Sequence, residues 1–392
     1  MIYADNAATT PIAENVLRVM IKTMTQEYGN PSSPYKLGAR AKKIVENARA
    51  DIARAVGANA PEIYFTSGGT EADNWAIKGT AYAAGKRKKK HIVSTQIEHH
   101  AVLRSLESLQ RHGFEMTLLA PEENGIIQPK QLTRILRKDT GLVSVMYANN
   151  EIGTVQPIQE LAEICRRKNI PFHTDAVQAI GQLPVNVKDL SVDLLSVSGH
   201  KIHGPKGVGF LYIRKGIVVE PLLNGGTQER RQRAGTENVA AIAGLAVAVR
   251  DAVAGLKRRT AYLSALQDRF IKGLLTLDGS HLHGDRHCRL PGNINVSFDD
   301  ASGEALVQML DKRGICCSTG SACTSGSLEP SHVLLALGLS AEQALGALRF
   351  TFSAKNTKAE IDTILNELQT ALKRLRKTPP SSECCCAGGC CS

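Results

Sequence analysis

The stretch Val192-Asp-Leu-Leu-Ser-Val-Ser-Gly-His-Lys201 decides the fold, because it joins a short apolar run to a lysine. A second run, Ile170-Pro-Phe-His-Thr-Asp-Ala-Val-Gln178, precedes it in the chain and carries Asp175 near its end. Short apolar runs of this kind are typical of buried strands. We therefore predict two strands, with Asp175 and Lys201 at or just beyond their carboxyl ends.

Strand-like and helix-like segments alternate through the first part of the chain. Glu62-Ile-Tyr-Phe-Thr66, His91-Ile-Val-Ser-Thr95 and Leu142-Val-Ser-Val-Met-Tyr147 have the composition of strands. Elsewhere, apolar residues recur at the three- and four-residue spacing of a helix, as do Ala41, Ile44, Val45, Ala48, Ile52 and Val56. The alternation predicts an α/β fold with a large, mostly parallel sheet covered by helices on both faces.

A change of pattern near residue 257 predicts a second, smaller α+β domain. The charged Leu256-Lys-Arg-Arg-Thr260 leads into an amphipathic helical stretch, and the strand-like Gly292-Asn-Ile-Asn-Val-Ser-Phe298 follows. The predicted division is a large cofactor-binding domain at residues 16–256, a small domain at 257–378 with 1–15 as an N-terminal segment, and a cysteine-rich tail at 379–392.

The charge and hydropathy of the chain exclude several classes of protein. The net charge is +11, but the densest basic run, Lys86-Arg-Lys-Lys-Lys90, has no interleaved aromatic residues, and aromatic residues make up only 4% of the chain. A solvated loop is therefore expected there, not a nucleic-acid surface, although the basic balance suits an acidic protein partner. No apolar stretch approaches the ~18 residues of a membrane helix. Met1-Ile-Tyr-Ala-Asp5 does not resemble a secretion signal, so a cytoplasmic location is expected.

The ten cysteines are spread unevenly, unlike those of a secreted disulfide framework. Cys165 shares a helical face with Leu161 and Ile164, which predicts core packing. The others include a cluster at Cys316, Cys317 and Cys323 and a tail group at Cys384, Cys385, Cys386, Cys390 and Cys391. A reducing compartment is the expectation.

Lys201 and Asp175 indicate a pyridoxal 5'-phosphate (PLP) enzyme. Such enzymes need a lysine amine that holds the cofactor as a Schiff base and a carboxylate that keeps its pyridine nitrogen protonated. Ser67-Gly-Gly-Thr-Glu71 follows a predicted strand and begins a helix, where backbone N–H groups can bind phosphate. A simple helix cap would explain this turn if it stood alone. Beside the lysine and aspartate, the phosphate interpretation is favoured.

These motifs resemble those of class V, fold-type I PLP-dependent enzymes, and most closely the cysteine desulfurases of the NifS/IscS type. The resemblance covers residues 2 to 376 and leaves out the cysteine tail. The matching segments are Tyr3-Ala-Asp-Asn-Ala-Ala-Thr-Thr10, Tyr28-Gly-Asn-Pro-Ser-Ser33, Glu98-His99, Ala148-Asn-Asn-Glu-Ile-Gly153, Arg233-Ala-Gly-Thr-Glu-Asn238 and Ser321-Ala-Cys323-Thr-Ser-Gly-Ser-Leu-Glu-Pro-Ser-His332.

The resemblance implies roles around the cofactor ring. His99 would stack on the pyridine ring and move protons, and Asp175 would pair with the ring nitrogen. Asn150 and Gln178 would hydrogen-bond the ring oxygen and the substrate. Taken singly, His99 could equally be a satisfied polar residue and Asp175 a helix cap, but their coincidence with the other motifs favours the functional interpretation.

The resemblance also implies roles at the two charged ends of the site. Arg349 would clamp the substrate carboxylate through its planar fork of donors, although a surface ion pair is the simpler explanation for an isolated arginine. Thr236 would reach the phosphate from the neighbouring subunit of a homodimer. The residues that would hold the phosphate within one subunit are Gly69, Thr70, Ser198, Gly199 and His200.

Cys323 decides the expected reaction. It lies in a small, polar, glycine-rich segment, Ser318 to Ser327, which suits a loop better than a buried core. A thiolate there could take sulfur from PLP-bound L-cysteine as a persulfide, release L-alanine, and pass the sulfur to an acceptor such as an iron–sulfur scaffold protein. The nearby Cys316 and Cys317 depart from the family pattern; they could accept sulfur, but small buried residues are the favoured interpretation.

Several alternatives stay open at this point. The same scaffold would serve a selenocysteine lyase or another class V lyase or aminotransferase, and the cysteine clusters would serve a non-catalytic sulfur-trafficking scaffold. Cys323 is also a candidate for transient ligation of a metal cluster. The tail cysteines could bind a soft metal or cluster, relay sulfur from Cys323, or form an oxidation-prone terminus without function.

Overall fold

The computed structural model describes residues 1–319 and 329–376. Its strands are β1 Ile2–Tyr3, β2 Ile63–Thr66, β3 His91–Thr95, β4 Glu115–Leu119, β5 Thr140–Ser144, β6 Phe172–Asp175, β7 Leu194–Ser198, β8 Gly209–Ile213, β9 Ser280–His283, β10 Asn293–Phe298, β11 Ile315–Cys316 and β12 Ala347–Thr351. Its α-helices are α1 Glu14–Gln26, α2 Lys36–Val56, α3 Gly69–Asn74, α4 Thr80–Gly85, α5 His100–Gln110, α6 Pro129–Ile135, α7 Ile158–Arg167, α8 Gln228–Arg231, α9 Val239–Ala254, α10 Leu256–Leu274, α11 Gly303–Asp311, α12 His332–Ala336, α13 Ala341–Leu345 and α14 Lys358–Leu375.

The large sheet has seven strands in the order β2-β8-β7-β6-β5-β3-β4. Pairing is parallel from β7 to β4, whereas β8 runs antiparallel to both of its neighbours. The chain returns from β7 to β8 through the short segment 199–208, which holds no crossover helix, and so these two strands pair in opposite directions. The predicted α/β class with a mostly parallel sheet is confirmed.

Helices bury both faces of this sheet because successive strand residues point to opposite sides. In β5, Val143 joins the core formed with α1, α2, α7 and α9, while Leu142 joins a second core with α5. In β7, Leu195 and Leu194 divide between two cores in the same way. The continuous apolar runs seen in the sequence are therefore strands that are buried on both faces.

A second sheet, of order β12-β10-β9, is antiparallel and packs against α10, α11 and α14. Its core contains Phe270, whose ring meets those of Phe350 and Phe352 edge-on at centroid distances of 5.0 and 5.2 Å. The first residues of the chain belong to this core, since β1 pairs with β11 and Ala4 is fully buried within it.

Helices α9 and α10 meet at a bend of 69°. The predicted domain boundary at 256/257 falls at this bend, and the division into domains stays a prediction. Within residues 1–319 and 329–376, no single helix is long and apolar enough to cross a membrane; α9 and α10 together meet that condition of length and composition as a bent pair.

The segment around α8 is held in an unusual backbone conformation. Glu229, Arg230 and Arg231 have consecutive positive φ values of 43°, 58° and 67°, which are unfavourable for residues other than glycine. A buried ion pair supports them: Arg49 donates from Nη1 and Nη2 to the two carboxylate oxygens of Glu229, each at 2.8 Å. The amide of Phe65 donates to the same carboxylate at 3.0 Å, so Glu229 ties α8 to both α2 and β2.

We expect Arg49→Met to lower the free energy of unfolding by about 3–5 kcal/mol, because the substitution leaves the Glu229 carboxylate buried without its partner. Urea denaturation followed by circular dichroism measures the change. Arg269→Met is the matched control, since Arg269 makes a similar two-pronged pair with Asp362 at 2.7 Å on the exposed surface, where about 0–1 kcal/mol is expected. Equal losses in the two variants would contradict the structural role of the Arg49 pair.

Candidate active site

A cavity of about 380 Å³ lies at the carboxyl edge of the large sheet. This is where parallel α/β sheets bind ligands, because the loops that follow adjacent strands meet there. The cavity brings together most of the residues predicted from the sequence, namely Gly69, Thr70, His99, Asn150, Asp175, Gln178, Ser198, His200, Lys201 and Arg349.

Lys201 ends a short turn, Gly199–Lys201, that directly follows β7. Its Nζ donates to the carbonyl oxygens of Ala7 and Ala8 at 2.6 and 2.7 Å. Gln178 Nε2 also donates to Ala7 O, at 3.0 Å. The N-terminal segment therefore forms a wall of the cavity. Sequence reasoning missed these two alanines as site residues, although they lie within the quoted Tyr3 to Thr10 motif.

Asp175 is buried at the end of β6, beside a second buried carboxyl that sequence reasoning missed. Burial raises the pKa of Asp175 to about 6, even though Val177 N donates to it at 2.8 Å and Lys201 favours its charged form. Burial and the charge of Asp175 also raise the pKa of Asp73, which lines the same cavity. A cation beside Asp175, such as a protonated ring nitrogen, would offset the desolvation of this carboxylate.

His99 caps the N-terminus of α5. Its Nδ1 accepts a hydrogen bond from Ala101 N at 3.1 Å, which places the proton of the neutral ring on Nε2. Burial, the charge of Lys201 and the nearby His100 lower the pKa of His99 to about 4. The imidazole is therefore neutral at pH 7 and has one nitrogen left to interact with a ligand.

The turn predicted to bind phosphate begins a helix that faces the cavity. Gly68 has φ 149°, and α3 starts at Gly69 and continues through a π-helical turn, Trp75–Gly79, into α4. A Cβ added to Gly69 would lie 2.8 Å from Val177 Cγ2, so only glycine allows the turn to pack this closely. The opening N–H groups of this helix have no intrahelical partner and are available to an anion.

Arg349 lies on β12 and is almost fully buried, so it is not the surface ion pair that an isolated arginine would suggest. Its Nη2 donates to Asp5 at 2.8 Å, and its Nη1 donates to the carbonyl of Asn150 at 3.1 Å. Among the described residues, no partner lies within hydrogen-bonding distance of Arg349 Nε. A buried guanidinium with a spare N–H is suited to bind a ligand carboxylate.

The structure places two predicted residues, Gly199 and Thr236, outside the lining of this cavity. Gly199 is buried in tight packing, because a Cβ there would lie 3.0 Å from Pro205 O and 3.1 Å from a methyl group of Leu245. Thr236 is exposed and lines a different cleft of about 170 Å³ beside Ser67. Cys323 lies outside the described residues.

The four described cysteines differ in burial, and Cys316 and Cys317 are less buried than expected. Cys165 is fully buried, as predicted, and burial raises the pKa of its thiol. Cys316 and Cys317 are half-buried, and burial raises the pKa of Cys317 to about 12, which keeps it a thiol at neutral pH. In residues 1–319 and 329–376, no group of three or more His, Cys, Asp or Glu side chains could hold a metal ion. The tail cysteines lie outside those ranges.

Comparisons with known proteins agree with this geometry. The model of the family "Aminotransferase class-V" matches residues 2–364. The chain belongs to this family. It is 50% identical to the cysteine desulfurase IscS of Methanosarcina thermophila over 97% of this chain and 94% of that protein.

Two solved structures extend the comparison. A NifS-like protein superposes with a TM-score of 0.90 at 38% identity, covering 95% of this chain and 99% of that one. A structure described as SspA in complex with cysteine gives a TM-score of 0.81 at 36% identity over 91% and 100% of the two chains. The predicted resemblance, the fold-type I class and the PLP cofactor are thereby confirmed.

Glu98, which directly precedes His99, is a buried acid in the wall behind the site. Its Oε1 accepts hydrogen bonds from Thr95 Oγ1 at 2.7 Å and from Met146 N at 3.0 Å. Its Oε2 has no partner among the described residues. Burial raises the pKa of Glu98 to about 8, so the carboxyl is largely protonated at neutral pH.

We expect Glu98→Gln to stabilise the protein relative to the parent, increasingly so as the pH rises. A carboxyl whose pKa is higher in the folded state stabilises that state fully below its ordinary value of 4.5 and loses this contribution as the pH rises through about 8. The difference in unfolding free energy between the two proteins should widen by more than about 1 kcal/mol between pH 5 and pH 9. Urea titrations at several pH values measure it, and a pH-independent difference would contradict the raised pKa.

Proposed function

We propose that the protein is a PLP-dependent cysteine desulfurase that converts L-cysteine to L-alanine and receives the sulfur on Cys323. The proposal rests on one observation: a single cavity is lined by Lys201, Asp175 and Arg349. The reaction balances without an added oxidant: the thiol of Cys323 and L-cysteine become a persulfide and L-alanine. The Cβ–S bond of the substrate breaks and a sulfur–sulfur bond forms.

The residues of the cavity have separate proposed roles around the cofactor ring. PLP, when bound, supplies the electron sink that allows bonds to the substrate carbon atoms to break. Lys201 would provide the amine that holds the cofactor, and Asp175 would provide the carboxylate for its ring nitrogen. His99 would pack against the ring and, as the neutral tautomer with its proton on Nε2, could donate that proton to the ligand. Asn150 and Gln178 would hydrogen-bond the ring oxygen and the substrate.

Arg349 binds the substrate carboxylate in this proposal. Two contacts of Arg349 support this role. Its Nε–H has no partner among the described residues and could bind a substrate carboxylate, and the same carboxylate could compete with Asp5 for Nη2. Arginine suits this task because its donors lie in one plane and match the two oxygens of a carboxylate.

The backbone of Arg349 supports Cys323 as the sulfur acceptor. Arg349 N donates to Ser318 O at 2.6 Å, and Ser318 N donates to Arg349 O at 3.2 Å. The chain thus enters the segment that carries Cys323 next to the cavity. Cys323 follows Ser318 by five residues (323 − 318 = 5), a stretch that reaches at most about 17 Å when extended.

The residues around the proposed phosphate site support a homodimer. Gly69, Thr70, Ser198 and His200 line the cavity of one subunit, and Thr236 is exposed outside it. In the proposed dimer, Thr236 of each subunit completes the phosphate site of the other. The sulfur acceptor is proposed to be a protein of iron–sulfur cluster assembly or another thiolation pathway, and the location is proposed to be the cytoplasm.

Lys201→Ala should yield a protein without the yellow absorption of bound PLP and without cysteine desulfuration. The reason is that the variant lacks the amine that forms the Schiff base. Absorption spectra before and after addition of PLP measure the first effect, and sulfide release with a reductant measures the second. A yellow band in the variant as strong as that of the parent would disprove the assignment of Lys201.

Cys323→Ala should retain the yellow absorption but lose persulfide formation from L-cysteine. Mass spectrometry of the protein after incubation with PLP and L-cysteine detects the added sulfur and its position. Cys288→Ala is the matched control, because Cys288 is exposed and lies outside the cavity. Undiminished desulfuration by Cys323→Ala would show that another group accepts the sulfur. A selenocysteine lyase would process L-selenocysteine in preference to L-cysteine in the same assay.

A further inference from the structure

An ion pair between Arg233 and Glu71 lies beside the phosphate turn. Arg233 Nε donates to Glu71 Oε1 at 2.8 Å, and Arg233 Nη2 donates to Oε2 at 3.0 Å. Both side chains are largely buried, with 20% and 12% of their surfaces exposed. The amide of Ser67 also donates to Glu71 Oε2, at 2.9 Å. The carboxylate is thus folded back over the start of α3.

Glu71 creates an electrostatic problem for a phosphate site. It directly follows Thr70, the residue proposed to bind the phosphate, and its negative charge lies in the first turn of the same helix. Arg233 and Ser67 hold the pKa of Glu71 below its ordinary value despite burial, so this carboxylate is charged at neutral pH. An unpaired carboxylate here would repel the phosphate and compete for the same N–H groups.

We propose that Arg233 is a positioning residue for the cofactor phosphate. Its guanidinium neutralises Glu71 and keeps that carboxylate turned toward Ser67, which leaves the first N–H groups of α3 to the phosphate. The proposal rests on the proposed function, because it assumes that this turn binds the phosphate of PLP. It adds a residue that acts on the cofactor without touching it.

Arg233 is also close in sequence to Thr236. It precedes Thr236 by three residues (236 − 233 = 3) and lines the same cleft. In the proposed dimer, the segment that presents Thr236 to the neighbouring subunit is therefore anchored on the phosphate turn of its own subunit. Loss of Arg233 would weaken PLP binding through the uncompensated charge of Glu71 and not through a displaced Thr236.

The experiment compares the PLP and pyridoxal affinities of four proteins after removal and re-addition of the cofactor. These are the parent, Arg233→Met, Glu71→Gln and the double variant Glu71→Gln/Arg233→Met. Arg233→Met should weaken PLP binding by about tenfold or more. Its affinity for pyridoxal, which has no phosphate, should stay unchanged. The double variant should recover the PLP affinity of the parent to within about threefold, because the uncompensated charge is gone.

Arg269→Met is the matched control, since it removes a two-pronged arginine–carboxylate pair between α10 and α14, outside both the cavity and the cleft, and should leave both affinities unchanged. An unchanged PLP affinity in Arg233→Met would overturn the proposal. Equal losses for PLP and pyridoxal, or a double variant as weak as the single one, would overturn it too, since they indicate general damage or the displaced Thr236. Failure of the parent to form the yellow complex would disprove the proposed function itself, and this proposal with it.

Discussion

The parallel pairing of β6 with β7 is the constraint on which the site depends. Asp175 is opposite Ser196 in this ladder, so the carboxyl ends of both strands lie at the same edge of the sheet. Asp175 then ends one strand, and Lys201 lies one short turn beyond the next. A slip by one residue would turn Asp175 to the opposite face of the sheet, because side chains alternate along a strand. The tight burial of both strands on both faces prevents that slip.

Desolvation governs the chemistry of the groups packed around this edge. Asp73, Glu98 and Asp175 are buried acids whose pKa values are raised by burial. His173, on β6 below Asp175, is neutral because burial lowers its pKa to about 3, and its two ring nitrogens lie 2.9 Å from hydroxyl groups of Ser144 and Ser196. Asp175, with a pKa of about 6, is still largely ionised at neutral pH, so its buried charge needs a cation beside it. A protonated ring nitrogen meets that need.

The sequence was sufficient to predict the sheet and much of the site because both follow from local patterns. Apolar runs buried on two faces mark the strands, and the loops after parallel strands share one edge, so the side chains at strand ends can be predicted to lie together. The hydrogen-bond partners of those side chains could not be predicted in this way. Arg349 pairs with Asp5 across a sequence separation of 344 residues, and Lys201 bonds to Ala7 across 194 residues. Periodic patterns in the sequence do not indicate contacts over such separations. Asp73 could not be predicted as a site residue because, within a helix, an acid that faces the core has the same local sequence pattern as one that faces solvent.

By itself, the sequence determined the fold class, the cofactor and the family, since each depends on residue types at fixed local spacing. Only the tertiary structure decided the protonation states of Asp175, Glu98 and His99, because burial depends on which elements pack around a group. It also placed Thr236 in a separate cleft of its own chain and paired Arg233 with Glu71 at the start of α3. These properties arise from contacts between distant segments, and such contacts exist only once the chain has folded.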